Sequence, residues 1–257
     1  MPKKFDIRFQ VVSNRKINSS VCLIILRPEN GENLPVILPG QFINLKVDGA
    51  GILLRRPISI CNFDPSTNEI WLMVKNVGKA SAIINKLIPG DKIDGMLPLG
   101  NGFRLPDDNK RKLLLIGGGV GTAPLYFLAR TLCEKLYDVS FLVGAQTSSD
   151  LLFIDELNLL GATYISTDDG SLGSRGLLTC NECLQYDWDA LYVCGPLPMM
   201  KAVATIACER NIDCQVSLEN RMACGIGACL CCVEDTLQGN RCTCIDGPVF
   251  NISELKW

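Results

Sequence analysis

Short apolar runs alternate with turn-forming clusters through the first 103 residues. Phe9–Val12, Ser20–Leu26, Gln41–Val47 and Ile70–Lys75 are rich in Val, Ile, Leu and aromatic residues. Clusters such as Pro28-Glu29-Asn30-Gly31 and Pro65-Ser66-Thr67-Asn68 separate them. Short strands with frequent turn signals predict a small antiparallel β-barrel. One helix is expected inside it, Ser81–Leu87, stopped by Pro89-Gly90. The polar stretch Arg104–Arg111 carries a proline and marks a domain boundary.

The pattern then changes. Lys112–Ile116 is apolar after its lysine and runs through a glycine-rich turn into a helical stretch, Ala123–Leu136. Val139–Val143, Ala162–Ser166 and Ala190–Val193 read as further buried strands, and Pro198–Arg210 as a helix. Strands alternating with helices predict a parallel sheet. From Glu219 onward the chain is rich in Cys and Gly and shows no clear period. The expected division is therefore 1–103, 111–218 and 219–257: a barrel, an α/β domain and a small C-terminal segment.

Composition narrows the chemistry. The 257 residues include 47% hydrophobic and 20% charged residues, so the chain is not disordered. A net charge of −2 argues against nucleic acid as a main partner, because neutralising phosphates needs a basic surplus. There is no histidine, which excludes Ser-His-Asp catalysis and histidine-ligated zinc, haem or Rieske sites. The charged start Met1–Arg8 does not read as a signal peptide, and the longest apolar stretch, Leu113–Ala129, is broken by glycines and Pro124. A soluble, cytoplasmic protein away from membranes is expected. In a reducing compartment, its 14 cysteines point to metal or redox chemistry more than to disulfides.

The C-terminal cysteines carry the strongest signal. Cys224, Cys229 and Cys232 are spaced C-x4-C-x2-C, as in a plant-type [2Fe–2S] site, with a fourth thiolate further on. Gly225, Gly227 and Ala228 allow the loop to wrap closely and to aim backbone N–H groups at sulfur. Either Cys242 or Cys244 can supply the fourth ligand; Cys231 is a bystander. The alternatives are a zinc site, which the spacing fits poorly, or buried free thiols. Cys22, Cys61, Cys133, Cys208 and Cys214 lie in apolar settings and read as small core residues. Cys180 and Cys183, three apart, read as structural.

Three further motifs are weaker alone. Gly117-Gly118-Gly119-Val120-Gly121-Thr122 follows a strand and opens a helix, which suits a phosphate at the helix N-terminus, although Thr122 stands where G-x-G-x-x-G has its third glycine. No acidic residue and no arginine follows Val143-Gly144-Ala145-Gln146 directly, a lean towards NAD(H) over its phosphorylated form. Cys194-Gly195-Pro196 closes a later strand, where ligands of open α/β sheets lie. Arg55-Arg56-Pro57-Ile58-Ser59-Ile60 lies between barrel strands and offers arginines suited to a diphosphate.

In this order, Arg56–Ser59, Gly117–Pro124 and Cys194–Pro196 resemble the ferredoxin–NADP reductase superfamily over almost the whole chain. Met222-Ala-Cys-Gly-Ile-Gly-Ala-Cys229 and Cys244-Ile-Asp-Gly-Pro-Val-Phe250 resemble one branch of it, the electron-transfer subunits of type B, NAD-dependent dihydroorotate dehydrogenase.

The resemblance implies an FAD-binding barrel followed by a nicotinamide-binding α/β domain. It gives Arg56, Pro57, Ile58 and Ser59 to the flavin and its diphosphate, and Met73, Val74 and Lys75 to its ribityl or adenine side. A phosphate-binding Gly-Thr pair of the family reads Ala80-Ser81 here, with the hydroxyl kept and the glycine lost. Gly117, Gly118, Gly119, Gly121, Thr122, Cys194, Gly195 and Pro196 would face NAD, beside a loop at Thr167–Gly170. Glu219 would approach the flavin. Cys244 becomes the fourth cluster ligand, because in the family that ligand directly precedes x-Asp-Gly-Pro-Val-Phe.

The implied partner is a catalytic, FMN-containing dihydroorotate dehydrogenase subunit, in a heterotetramer of two plus two. Electrons would pass from FMN through [2Fe–2S] and FAD to NAD+ as dihydroorotate becomes orotate in pyrimidine biosynthesis. Two rivals remain at this stage. One is a small flavin/iron–sulfur subunit of an NADH-dependent ferredoxin:NADP oxidoreductase or hydrogenase. The other is a metal- or redox-sensing module without turnover.

Overall fold

The structure, a computed structural model, describes residues 3–49, 51–107 and 112–257. Residues 108–111 of the expected linker lie outside the described residues. The chain forms two compact units. The first comprises Met1–Gly102, Asn220–Glu234 and Asn240–Pro248; the second comprises Phe103–Glu219, Asp235–Gly239 and Val249–Trp257. The segment from Glu219 onward is thus divided between them.

The first unit contains a closed six-stranded barrel. Its strands are β1 (Phe5–Lys16), β2 (Val21–Pro28), β3 (Phe42–Lys46), β4 (Arg56–Asp64), β5 (Glu69–Lys75) and β6 (Lys92–Leu99), in the order β1-β2-β5-β4-β3-β6. All neighbours are antiparallel. Closure removes exposed sheet edges. The barrel interior is dry: Phe9, Ile24, Ile43, Leu45, Ile60, Ile70 and Leu72 are almost wholly buried.

Two expectations need correction here. The Arg55–Ile60 stretch does not lie between strands; Arg56–Asp64 is itself β4. Pro57 is tolerated because its strand partner Asn44 gives its carbonyl to Arg55 Nη1, at 3.4 Å. The expected helix at Ser81–Leu87 is α1, Lys79–Ile84, two residues earlier.

The second unit is built on a seven-stranded sheet. Its strands are β7 (Lys112–Gly118), β8 (Asp138–Ala145), β9 (Ala162–Thr167), β10 (Ser174–Arg175), β11 (Ala190–Cys194), β12 (Asp213–Ser217) and β15 (Val249–Asn251), ordered β10-β9-β8-β7-β11-β12-β15. All pairs are parallel except β12 with β15. Helices α2 (Thr122–Glu134), α3 (Ile154–Asn158) and α4 (Leu197–Glu209) connect strands. Leu114, Ile116, Leu142, Leu191, Val193, Val203, Ala207 and Val216 form the core.

Consecutive strands run outward from β7 on one side, and the chain then returns to place β11 on the other. The strand order therefore reverses between β7 and β11. Open parallel sheets bind ligands at this reversal, beyond the strands' carboxyl ends.

A short hairpin, β13 (Val233–Thr236) and β14 (Gly239–Cys242), completes the elements. Among the described residues, no helix is long and apolar enough to cross a membrane.

Candidate functional site

The reversal point of the sheet carries the glycine-rich turn. After β7, Gly119–Gly121 form a single 3-10 turn that leads directly into α2. Each glycine here has a distinct reason. Gly119 has φ +54°, with nothing near the position of a Cβ. Gly121 has an ordinary helical backbone, φ −62° and ψ −14°. A Cβ on it, however, would lie 2.6 Å from the Cys194 carbonyl carbon and 2.7 Å from Gly195 N. On Gly118 a Cβ would meet Met199 Sδ at 2.6 Å and Pro196 Cδ at 2.8 Å. The glycine turn and the Cys194-Gly195-Pro196 turn are therefore in close contact, backbone against backbone. The N-terminus of α2 opens between them, its positive dipole end available to a phosphate, although the Thr122 N–H is bonded to the Gly119 carbonyl and Pro124 has none to give.

Cys194 is buried, and burial raises its thiol pKa, aided by the charge of Glu219 and opposed by a hydrogen bond with Ser217. It stays a neutral thiol at any physiological pH. The Thr167–Gly170 loop leaves β9 at the same end of the parallel sheet. It is braced internally: Thr167 Oγ1 donates to the Leu172 carbonyl at 2.8 Å, and Asp169 Oδ1 accepts from Ser171 N at 2.9 Å and Ser171 Oγ at 2.6 Å. Those bonds hold the Asp169 carboxyl below its usual pKa.

In the barrel, the residues expected to hold a flavin meet along one edge. Ile60 of β4 faces Leu72 of β5, and the strands are antiparallel. The start of β4 (Arg56, Pro57, Ile58, Ser59) and the end of β5 (Met73, Val74, Lys75) are therefore at the same end, where α1 follows. Arg56–Ser59 are half-buried, while Met73 and Val74 are buried. Arg55 is committed elsewhere, gripping both carboxylate oxygens of Asp6 at 2.9 and 2.8 Å. Arg56 Nη1 folds back on the carbonyls of Leu54 and Arg55, at 2.7 and 3.2 Å.

Ser81 behaves differently from the expectation. Its hydroxyl accepts from Val77 N at 2.9 Å and Gly78 N at 3.0 Å and donates to the Gly78 carbonyl at 3.0 Å. One donor and two acceptor positions fill a hydroxyl's capacity. Ser81 therefore shapes the turn before α1 and has no hydroxyl proton left for a phosphate. Ala80, beside it, is buried.

The cysteine segment folds against the outside of the barrel within the first unit. Cys232, Cys242 and Cys244 share an apolar cluster with Phe42 and Leu99, flanked by Met96, Met222, Val233 and Ile245. Gly225 at φ +72° and Gly227 at φ +81° turn the loop so that amides aim at sulfur. Ile226 N and Cys229 N both donate to Cys224 Sγ at 3.4 Å, Gly227 N donates to Cys244 Sγ at 3.2 Å, and Cys244 N donates to Cys232 Sγ at 3.4 Å.

The four thiols fall into two hydrogen-bonded pairs, Cys224 with Cys229 and Cys232 with Cys244. Burial tends to raise the Cys224 pKa, but the amide donors outweigh it and bring the thiol down to about 6. Burial, together with Cys232 beside it, pushes Cys244 up to about 12.

No group of three or more cysteine or carboxylate side chains among the described residues closes on a point as ligands of one metal ion do. Two thiol pairs with amides on sulfur fit a two-iron cluster, whose ligands divide between two centres. Cys242 differs from Cys244 in that its own N–H goes to Asp246 Oδ2 at 2.7 Å. Cys231 is exposed.

Among the other cysteines, Cys22, Cys61 and Cys214 are buried as expected, Cys133 is half-buried, and Cys208 is exposed, against expectation. It faces outward from α4. Cys180 is exposed and Cys183 buried, both as free thiols.

Comparison with known proteins agrees with this geometry. Residues 219–256 match the family model of the iron-sulfur cluster binding domain of dihydroorotate dehydrogenase B. The electron transfer subunit of dihydroorotate dehydrogenase B (NAD(+)) from Listeria monocytogenes is 39% identical over 253 residues, which cover 96% of this chain and 97% of that protein. The chain belongs to this family. The corresponding subunit from Geobacillus kaustophilus is 40% identical over 225 residues, 84% of this chain and 86% of that one.

A chain of the NADH-dependent reduced ferredoxin-NADP oxidoreductase, studied for flavin-based electron bifurcation, superposes with a TM-score of 0.84 at 28% identity. It covers 97% of this chain and 90% of that one. The flavohem-like FAD/NAD binding domain of nitric oxide dioxygenase from Vibrio cholerae shares the fold, with a TM-score of 0.71 at 22% identity, covering 82% of this chain and 98% of that domain.

Asn44 is the site residue that sequence reasoning missed. It is a fully buried amide whose Nδ2 donates to the Cys224 carbonyl at 3.5 Å. The available signal was one amide in the otherwise apolar run Phe42-Ile-Asn-Leu45.

Proposed function

We propose that the chain carries electrons between a catalytic, dihydroorotate-oxidising partner subunit and NAD+, in the step that makes orotate for pyrimidine synthesis. Family membership over 96% of the chain carries this reading. FAD, a [2Fe–2S] cluster and NAD+ together supply the exchange between one-electron and two-electron transfer. The chain's own work is to hold and orient these groups and to shield them from side reactions.

Cys224, Cys229, Cys232 and Cys244 hold the cluster, and amides of residues 226, 227, 229 and 244 stabilise the thiolates. Arg56–Ser59 and Met73–Lys75 hold the flavin, with Ala80 and Ser81 shaping the turn beside them. Gly117–Thr122 and Cys194–Pro196 receive the nicotinamide nucleotide, its phosphates against the start of α2. In this reading 1–103 is the flavin-binding part, 111–218 the nicotinamide-binding part and 219–257 the cluster segment. A chain without histidine has no evident base for removing protons from an organic substrate. Substrate oxidation therefore belongs to the partner, in a cytoplasmic assembly of two catalytic and two electron-transfer chains.

The bifurcating oxidoreductase supports a second reading, a small subunit that serves a different partner, at 28% identity. The higher identity to the dihydroorotate dehydrogenase subunits, 39% against 28%, favours the first. Anaerobic co-purification from the native cell, with the stoichiometric partner identified by mass spectrometry, decides between them. A dihydroorotate-oxidising flavoprotein is the expected partner. A ferredoxin- or hydrogen-linked partner contradicts the pyrimidine assignment.

A further inference from the structure

Strand β3 alternates between two faces. Ile43 and Leu45 point to one, where a Cβ on Gly95 of β6 would meet Leu45 Cδ2 at 3.3 Å and press on Ile43. Phe42 and Asn44 point to the other, and Phe42 lies in the apolar cluster around Cys232 and Cys244. Asn44 is 0% exposed on that face. Its Nδ2 reaches the Cys224 carbonyl at 3.5 Å, while its Oδ1 has no hydrogen-bond partner. Gly225 presses on the same amide, since a Cβ there would lie 2.8 Å from Nδ2. Asn44 also stands opposite Pro57 in the β3–β4 ladder.

A half-satisfied buried amide is destabilising, and a leucine would fill the space without burying an unpaired amide oxygen. Its presence there is not explained by stability, and its position offers another reason. Asn44 is in register with Pro57 of the Arg56–Ser59 segment and bonded to the residue that bears the first cysteine of the cluster loop.

We propose that Asn44 is a positioning residue for the cluster. It fixes the Cys224 end of the loop against the strand beside the flavin residues. It also offsets the negative end of the Cys224 carbonyl near the cluster, which favours the reduced, more negative state and raises the reduction potential. This rests on the reading of Cys224 and Arg56–Ser59 under Proposed function.

The test uses the full chain, with cluster and flavin in place, purified anaerobically as wild type, Asn44→Leu and Asn44→Ser. Leucine keeps the volume. Serine is smaller and cannot overpack, so it decides the matter should the leucine variant not fold. Redox titration followed by EPR of the reduced cluster gives the cluster potential, and optical titration gives the flavin's.

Both variants are expected to retain flavin at the wild-type potential. Both should shift the cluster's reduction equilibrium towards the oxidised side about tenfold, or about 59 mV for one electron, with an altered EPR line shape. Wild-type potential and line shape in the folded variants overturn the role of Asn44 alone. A wild-type chain without any reduced-cluster signal overturns the underlying reading, and this inference with it.

Discussion

Gly119 and Gly121 stand two residues apart in one turn, and their replacement by alanine should have unequal effects. At Gly119 the cost is conformational: φ is +54° and the surrounding space is open. A left-handed alanine costs about 1 kcal/mol. At Gly121 the backbone suits alanine, but the methyl would sit 2.6 Å from the Cys194 carbonyl carbon. That falls short of an ordinary carbon contact of about 3.5 Å by roughly 0.9 Å.

The obstructing atoms are backbone, so no rotamer change relieves the clash, and the turn must move away from β11. Overpacking of this kind costs about 3 kcal/mol. At about 3 °C per kcal/mol for a chain of this size, Gly119→Ala should lower the melting temperature by about 3 °C and Gly121→Ala by about 9 °C. Gly121→Ala should also weaken NADH binding at least about tenfold, because phosphate-binding amides act only in register. Differential scanning calorimetry and NADH titration of both variants measure the two effects. Equal damage from both, or greater damage from Gly119→Ala, would refute the assignment of one glycine to torsion and the other to space.

Other consequences follow from the same geometry. Cys244→Ala should lose the visible absorption and iron of the cluster while Cys242→Ala keeps both; iron analysis separates them. Ser81→Ala releases the Val77 and Gly78 amides and should lower flavin content, read from the flavin absorbance of the purified chain, with a stability loss of about 1–2 kcal/mol. Burial raises the thiol pKa of Cys194 and Cys214. The unfolded thiols ionise first as pH rises past their ordinary value, so the stabilisation is full below about pH 8.5 and lost above it. Urea unfolding between pH 8 and 10 should show a loss of about 2 kcal/mol for each, and Cys214→Ala should remove its share of the slope.

The strongly periodic elements were legible in the sequence because local pattern and burial coincide there. Four barrel strands, the β7–α2 unit and α4 follow from apolar runs and turn residues alone. Strand β6 was not legible, since Gly95 and Pro98 interrupt its apolar run. Gly95 is demanded by side chains that lie far away in sequence, Ile43 and Leu45, crowding the barrel interior. Strand β15 has three residues, and its antiparallel pairing with β12 is a tertiary fact. Helix α3 begins only after Phe153 adopts φ 60°, which no propensity announces.

At the site, the spacing of Cys224, Cys229 and Cys232 marked the loop that turns its amides towards sulfur, because closely spaced cysteines and glycines are a local signal. The commitment of the Ser81 hydroxyl to its own turn depends on backbone placement that composition does not carry. Asn44 was hidden for the same reason. Its meaning lies in the contact with Cys224, 180 residues away in the chain.

The central claim, that this chain moves electrons between a nicotinamide and a two-iron cluster, is tested most directly by anaerobic reduction with NADH. The flavin absorbance and low-temperature EPR are followed together. Bleaching of a yellow chromophore with the rise of a reduced [2Fe–2S] signal, about one spin per chain, is the expected result. A colourless chain, or one whose cluster stays oxidised under NADH while dithionite reduces it, contradicts the account.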